Sequence, residues 1–443
     1  MKRTMLINGA IWMALVSLFI LTPILMLVLG PKFSERPTLL DLSISLAFTG
    51  LSIMSVQFFL TARIKPLNQP FGTDLVYHFH RQIGIAAFFM VLAHPLLLFV
   101  LDSRYLRLLN LITAPGRARA GVIAVLLLIG VVWMSEYRQK LRIPYWFWKL
   151  WHGILATIMI GLAVWHIFMA GTYINLPWKQ VLWVGYSALL IAAIAYTRVV
   201  YPLKLMAKPF TVNDVRQERG DVWTISMKPQ DHPGFKFIPG QFAWLTAWKT
   251  PFSDSEHPFS LASSAENRDG IEMSIKNLGP YTSRIKDLKP GQKVFVDGPY
   301  GSFSMDRYPD AERYVFIPGG IGVTPIISML RTMADRNDRR PVFLFYCNRE
   351  WDSATFREEV ASLKTRLNLQ VVYIIEKPPS GWDGEAGFLN ETILKKHLDQ
   401  PWFSLGTEVF LCGPVPMMKA VEKALQSAGF PEKQIHTEQF ALV

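Results

Sequence analysis

Two hydrophobic rhythms divide this chain. In the first half, six stretches are apolar almost throughout: Met5–Leu29, Asp41–Ala62, Val76–Leu101, Ala118–Ser135, Tyr145–Ala170 and Trp178–Tyr201. Each approaches the ~20 residues that a helix needs to cross a bilayer core. The first is too long for a signal-peptide core and lacks a small-x-small cleavage site, so it reads as a span. Near Lys208 the apolar runs shorten and charges become frequent. Val212–Arg216, Val222–Met227, Gln241–Ala247, Ile271–Ile275 and Lys293–Val296 alternate as short strands, with turns at Pro239-Gly240 and Pro290-Gly291. That is the pattern of a small barrel. From Arg313 the rhythm changes again. Tyr314–Ile317 predicts a buried strand, followed by a glycine turn and a helix to about Arg336. Val342–Tyr346, Val371–Ile375 and Val409–Leu411 predict further parallel strands with helices between them.

Charge follows the same division. Of the 443 residues, 51% are hydrophobic, and the formal net charge is +12. Residues 1–207 hold 18 Lys and Arg against 5 Asp and Glu, whereas the remainder is nearly balanced. A basic excess confined to the apolar half points to membrane topology and a lipid bilayer partner, not to nucleic acid. Lys2 and Arg3, then Arg63/Lys65, Arg138/Lys140/Arg142 and Arg198/Lys204/Lys208, fall on one side, which places both termini in the cytoplasm. Arg104, Arg107, Arg117 and Arg119 dissent, lying in the predicted outer loop between spans three and four. Only two cysteines occur, Cys347 and Cys412, without a CxxC or Cys/His neighbourhood. This excludes a disulfide scaffold, a cysteine-ligated cluster and a zinc finger.

Five of nine histidines lie in the apolar half: His78, His80, His94, His152 and His166. Ionisable residues inside spans are costly and functional by default. His80 and His94 are 14 residues apart on span three, and His152 and His166 are 14 apart on span five. On a helix this spacing leaves each pair ~40° apart on one face with a rise of ~21 Å. Spans three and five run in the same direction, so His80 can face His152 and His94 can face His166. Two facing imidazoles are the axial set of a six-coordinate haem, and two such pairs would form an electron wire through the membrane. His78 lies ~160° from His94 and is rejected as a ligand. Core hydrogen bonding or a proton relay is the plainer use of a membrane histidine, and the repeated spacing argues against it. Arg81 either pairs with a haem propionate or snorkels to the interface.

The soluble half carries two further sets of motifs. His257-Pro258-Phe259-Ser260 follows a barrel strand. Its aromatic would pack near a flavin ring, and its hydroxyl would reach the position where hydride arrives. Lys276, Gly279, Thr282 and Ser283 precede a predicted helix at Ser283–Leu288, an arrangement that suits a pyrophosphate. Gly319-Gly320-Ile321-Gly322-Val323-Thr324-Pro325 follows a strand and opens a helix, so its backbone can approach a diphosphate, although it departs from GxGxxG. In Cys412-Gly413-Pro414 the thiol either faces a nicotinamide or is an inert buried group. Arg349 either pairs with a 2′-phosphate, favouring NADPH over NADH, or is solvated. Glu438 stands two residues before Phe440, which would cover the flavin until nicotinamide displaces it or else belongs to the core.

The paired histidines, the His257–Ser260, Gly319–Pro325 and Cys412–Pro414 motifs and the terminal Glu438-x-Phe440 together resemble the ferric reductase and NADPH oxidase superfamily. The resemblance runs from span three to the C-terminus. It implies a membrane α-helical bundle of six spans joined to a cytoplasmic β-barrel FAD domain and an α/β nucleotide-binding domain. The expected divisions are 1–207, 208–310 and 311–443. It further implies that His80 and His152 hold an inner haem b, and His94 and His166 an outer one. His257, Phe259 and Ser260 would meet FAD; Gly319, Gly320, Gly322, Thr324 and Cys412 would meet NAD(P)H. Ala441-Leu442-Val443 extend past the aromatic at which oxidase-like members often stop. The implied activity is NAD(P)H-dependent electron transfer to an outer-face acceptor, a ferric chelate or dioxygen. A periplasmic protein partner and a non-catalytic haem sensor are the alternatives. With both axial positions filled, the last transfer is expected to be outer-sphere.

Overall fold

The computed structural model describes residues 2–29, 37–61, 73–171, 173–253 and 255–439. The chain forms two compact units, Met1–Pro202 and Leu203–Val443.

The first unit is helical. Its elements are α1 (Lys2–Val28), α2 (Thr38–Leu60), α3 (Thr73–Leu101), α4 (Gly116–Tyr137), α5 (Tyr145–Ala170) and α6 (Pro177–Ala195). Through one π turn at Tyr196–Val200, α6 continues to Met206. Prolines, which need no N–H partner, stand at or just before several helix starts: Pro37, Pro115, Pro144 and Pro177. Gly171, at φ 66°, stops α5 in the left-handed conformation that glycine tolerates best. All six helices are long and apolar enough to cross a membrane. Their outer faces expose Leu18, Phe89, Trp165 and Val181, as a lipid-facing surface requires. Between helices, Phe48, Leu51, Leu128, Trp183 and Leu190 form the core, and small residues let backbones approach. A Cβ on Gly50 of α2 would stand 2.7 Å from Val91 and 2.9 Å from the Ala87 carbonyl of α3.

The second unit begins with an antiparallel barrel of β1 (Phe210–Glu218), β2 (Val222–Pro229), β3 (Phe242–Thr246), β4 (His257–Ser260), β5 (Ile271–Lys276) and β6 (Lys293–Tyr300). Their order is β4-β3-β6-β1-β2-β5, and a bridge from Leu261 to Met273 brings the two ends together. Alternating side chains such as Val212, Ile225, Met227, Leu245 and Met273 fill the interior.

An all-parallel sheet follows, made of β7 (Arg313–Pro318), β8 (Val342–Asn348), β9 (Leu369–Ile375), β10 (Glu385–Ala386), β11 (Thr407–Gly413) and β12 (Ile435–Gln439). The order is β10-β9-β8-β7-β11-β12. Its helices are α7 (Val323–Asp335), α8 (Arg357–Leu363), α9 (Glu391–His397) and α10 (Val415–Ala428). The chain moves outward from β7 to β10, then returns to the other side of β7 for β11. The order therefore reverses between β7 and β11, and the carboxyl ends of such strands are where open α/β sheets bind ligands. One side chain ties sheet and barrel together. Arg331 of α7 donates to the Ala262 carbonyl at 2.8 Å, to Glu272 at 2.8 Å and to Glu359 at 2.6 Å. Glu272 also accepts from Arg216.

Two local readings change. His257–Ser260 is itself a strand, β4, paired with β3 from Phe242 to Leu245. The helix expected at Ser283–Leu288 is a 3₁₀ turn over Thr282–Asp287. The reason lies in Thr282, whose Oγ1 accepts from the Leu278 and Gly279 amides at 2.8 and 2.9 Å. The hydroxyl winds the turn tightly and starts it one residue early.

Candidate cofactor sites

In the helical unit, the His80 and His152 rings face each other with centroids 6.3 Å apart. Two metal–nitrogen bonds of about 2 Å, plus the distance from each nitrogen to its ring centre, span a similar length. His94 lies within electrostatic reach of His166. The early histidine of α3 thus faces the early histidine of α5, and the late ones lie within electrostatic reach of each other, so the two helices run in the same direction.

Three of the four rings are also fixed from behind. His152 Nδ1 is 3.0 Å from Ser135 Oγ, and His94 Nδ1 is 2.8 Å from Ser43 Oγ. His166 Nδ1 donates to the Arg117 carbonyl at 2.7 Å. In all three, Nε2 has no hydrogen bond among the described residues, as a ring prepared to ligate through that atom requires. His80 Nδ1 is buried without a partner among the described residues. Gly121 makes room for His166, since a Cβ there would stand 2.9 Å from Nδ1. Arg81, for which a propionate was one possible partner, forms an exposed ion pair with Glu136 at 3.0 Å. Arg198 instead brings a guanidinium against Gly153, beside His152. His78 is exposed.

In the barrel, β4 presents an aromatic stack. His257 lies on Tyr281 with centroids 3.8 Å apart and planes 21° from parallel, and Phe259 stacks on the same ring at 6.2 Å. Burial pushes the Tyr281 phenol well above its ordinary range, so it stays a neutral donor to the Leu245 carbonyl at 2.9 Å. Pro258 pairs with Trp244 between them. Ser260 is buried, and its Oγ has no partner among the described residues. A buried hydroxyl left unpaired carries a penalty that a bound polar group relieves, which fits a flavin edge. Lys276 ends β5 and Gly279 stands in open space. Ser283 Oγ donates to the Pro280 carbonyl at 3.2 Å, so it and Thr282 serve their own turn first.

At the reversal point of the parallel sheet, two glycine turns lie backbone to backbone. The Gly319 amide donates to the Cys412 carbonyl at 2.8 Å. A Cβ on Gly322 would collide with that carbonyl, and one on Gly413 would stand 3.2 Å from Gly319. Gly320 has a φ of 54° and open space above it. Thr324 is buried and donates to the Ile321 carbonyl at 3.0 Å, closing the turn at the start of α7. The result is a flat backbone platform at a helix N-terminus, which fits a diphosphate. Cys412 is fully buried on β11, opposite Glu438 of β12. Glu438 is buried near Gly301. Arg349 stands exposed just past β8. Phe440 and Ala441-Leu442-Val443 lie outside the described residues.

Three family models match consecutive parts of the chain: a ferric reductase-like transmembrane component over 46–163, an FAD-binding domain over 207–304 and an oxidoreductase NAD-binding domain over 316–423. Together the three matches make up the domain architecture of ferric reductases and NADPH oxidases. It is a multi-pass membrane protein with an FAD-binding and an NAD(P)H-binding domain, and its domains are those of an oxidoreductase. The transmembrane match contains His80, His94 and His152 and ends before His166.

Other reductases resemble it in part. The glycine betaine monooxygenase reductase subunit of Pseudomonas aeruginosa is 32% identical over 232 residues, 51% of this chain and 62% of the relative. The NADH-cytochrome b5 reductase 2 of Mycosarcoma maydis is 28% identical over 172 residues, 38% of this chain and 49% of the relative. The chain thus spans less than two thirds of either relative. Among solved structures, the flavohaem-like FAD/NAD-binding domain of a Vibrio cholerae nitric oxide dioxygenase covers 52% of this chain and 98% of its own, at 25% identity and a TM-score of 0.45.

Against this superfamily pattern, sequence reasoning missed Ser43, Ser135, Gly121, Tyr281 and Arg198. Serine and glycine in an apolar run read as helix-packing residues. Only Tyr281 had a signal, an aromatic beside a turn glycine, and it was taken as part of the turn.

Proposed function

We propose that this chain moves electrons from cytoplasmic NAD(P)H, by way of FAD and two b-type haems, to an acceptor on the outer face, a ferric chelate or dioxygen. Both termini lie in the cytoplasm, as the clustering of Lys and Arg favours. The observation that carries the reading is the facing His80 and His152 rings, with His94 within electrostatic reach of His166 and with Nδ1 of His94, His152 and His166 engaged, in one chain with flavin and nicotinamide domains. Bound FAD supplies the conversion of a hydride pair into single electrons, and bound haem the one-electron chemistry.

The chain's own residues do the holding. His80 and His152 would hold the inner haem, and His94 and His166 the outer one. His257, Pro258, Phe259 and Tyr281 form an aromatic wall for the flavin, and Ser260 offers its hydroxyl at the flavin edge. Gly319, Gly320, Gly322 and Gly413 keep side chains away from the diphosphate, with Thr324 holding that turn. Cys412 and Glu438 belong to the nicotinamide end, and Arg349 favours NADPH over NADH. Arg104, Arg107, Arg117 and Arg119 raise the positive potential of the outer loop and draw in an anionic chelate.

Anaerobic titration of the purified protein with NADPH, and separately NADH, tests this. Flavin bleaching should be followed by reduced haem bands, with two haems per flavin. Absence of a Soret band, or haem bands that stay oxidised while flavin bleaches, would overturn it. Re-oxidation by a ferric chelate or by air then ranks the acceptors.

A further inference from the structure

An imidazole that ligates through Nε2 must carry its proton on Nδ1, and a buried Nδ1–H needs an acceptor. Hydrogen-bond bookkeeping places the proton on Nδ1 of His166 and His152 and leaves room for it on His94. The Arg117 carbonyl can only accept, so His166 donates to it. Ser135 has one hydroxyl hydrogen, which goes to the Val131 carbonyl one turn back at 2.7 Å. Trp148 Nε1, a donor only, fills one lone pair of Ser135 Oγ at 3.1 Å. The other lone pair faces His152 Nδ1 at 3.0 Å, so His152 donates. Ser43 Oγ stands 2.8 Å from His94 Nδ1 and 3.1 Å from the His94 carbonyl, so it can accept from Nδ1 while its hydrogen goes to the carbonyl.

Packing alone does not produce this arrangement. A serine or threonine inside a span is ordinarily satisfied by the carbonyl four residues back. Ser45, Thr49, Ser52 and Ser55 of α2 each make that bond. Ser43, on the same helix, reaches across to α3 and binds His94 twice. Ser135 has its backward bond and still accepts from two further donors. Both serines sit on helices that carry none of the four histidines, so each histidine helix is braced by a neighbour.

We propose that Ser135 and Ser43 are positioning residues that lock His152 and His94 in the Nδ1–H tautomer and present Nε2 to iron. The inference rests on the haem reading above. By drawing the Nδ1 proton outward, each serine also leaves more electron density on Nε2, which favours ferric over ferrous iron. Removing the acceptor weakens the ligand and shifts that preference toward ferrous.

Spectroelectrochemical titration of the detergent-purified full-length protein tests it. Ser135→Ala should move one haem wave to more positive potential. A tenfold loss of ferric preference, the lower end for such outer partners, is about 59 mV for one electron. Ser135→Thr keeps the hydroxyl and should titrate like the natural protein. Trp148→Phe removes the second donor but not the His152 bond, and should leave the wave in place. Ser43→Ala should move the other wave, and reads the same claim independently if Ser135→Ala loses haem. A serine variant with full haem content and an unmoved wave overturns the role of that serine. A shift in Trp148→Phe as large as in Ser135→Ala assigns the effect to packing and overturns the Ser135 role. Natural protein without a Soret band overturns the haem reading itself; a Soret band with silent serine variants overturns only this inference.

Discussion

At the scale of single residues, two positions turn steric and hydrogen-bond arguments into measurements. Gly121 leaves the space in which His166 reaches the Arg117 carbonyl. Gly121→Ala would place a methyl group against Nδ1 and push the ring off that bond. The haem-to-flavin ratio, read by pyridine haemochromogen and flavin absorbance, should fall from two toward one. Gly130→Ala and Gly161→Ala, with nothing within 4 Å of the new Cβ, should leave the ratio unchanged. Ser260 gives a contrast of opposite kind. Its buried Oγ has no partner among the described residues, so Ser260→Ala removes an unsatisfied group and should leave the flavin-free protein as stable or slightly more so. The same change should weaken flavin retention and slow flavin reduction by NADPH. Calorimetry of the flavin-free form and stopped-flow absorbance check the two halves separately. A stability loss without a flavin effect would mean that Ser260 serves packing.

At the scale of elements, legibility follows the range of the interaction. The spans and the strands of both sheets announce themselves because a bilayer and a half-buried sheet each impose a period on consecutive residues. The 14-residue spacing on α3 and α5 is legible for the same reason, since a helix turns repeat distance into a shared face. What was hidden is what crosses between elements. Nothing near Ser135 in the sequence points to His152, and the bond exists only because α4 lies against α5. The start of the 3₁₀ turn at Thr282 was hidden differently, because one hydroxyl chose between two geometries separated by a single residue. The glycine turn after β7 lies between these cases. Its glycines were visible, but their need came from Cys412, some ninety residues later. Gly322→Ala would drive a Cβ into the Cys412 carbonyl. The turn must open, at a cost of about 1–3 kcal/mol to the soluble half, and the KM for NADPH should rise with flavin content unchanged. Equal losses of flavin and NADPH binding would show that the damage spreads beyond this turn.

At the scale of the whole molecule, the second unit depends on charges that link its two sheets. Glu272 stands on barrel strand β5 between Arg216 and Arg331, and Arg331 belongs to the helix that follows the glycine turn. Burial by itself would raise the Glu272 pKa. The hydrogen bonds and charges of the two arginines outweigh it and hold the carboxyl below its ordinary 4.5. A carboxyl whose folded pKa is depressed adds stability above its unfolded pKa and loses it as pH falls through the folded value. The link therefore holds at neutral pH and weakens below about pH 4. Glu272→Gln should cost about 3 kcal/mol near neutrality, toward the low end for a mostly buried pair, and should flatten the acid limb of the stability curve. Its consequence reaches further than stability. Arg331 pins the barrel at the Ala262 carbonyl while its helix begins at the nucleotide platform, so the pair sets how firmly flavin and nicotinamide domains share one frame. In the variant, scanning calorimetry should resolve two transitions where the natural protein gives one, and hydride transfer should slow without a matching loss of flavin. A single transition with the natural acid limb would show that the other links, such as Ser328 to the Ser263 carbonyl and Arg336 to Glu266, hold the two sheets together without Glu272.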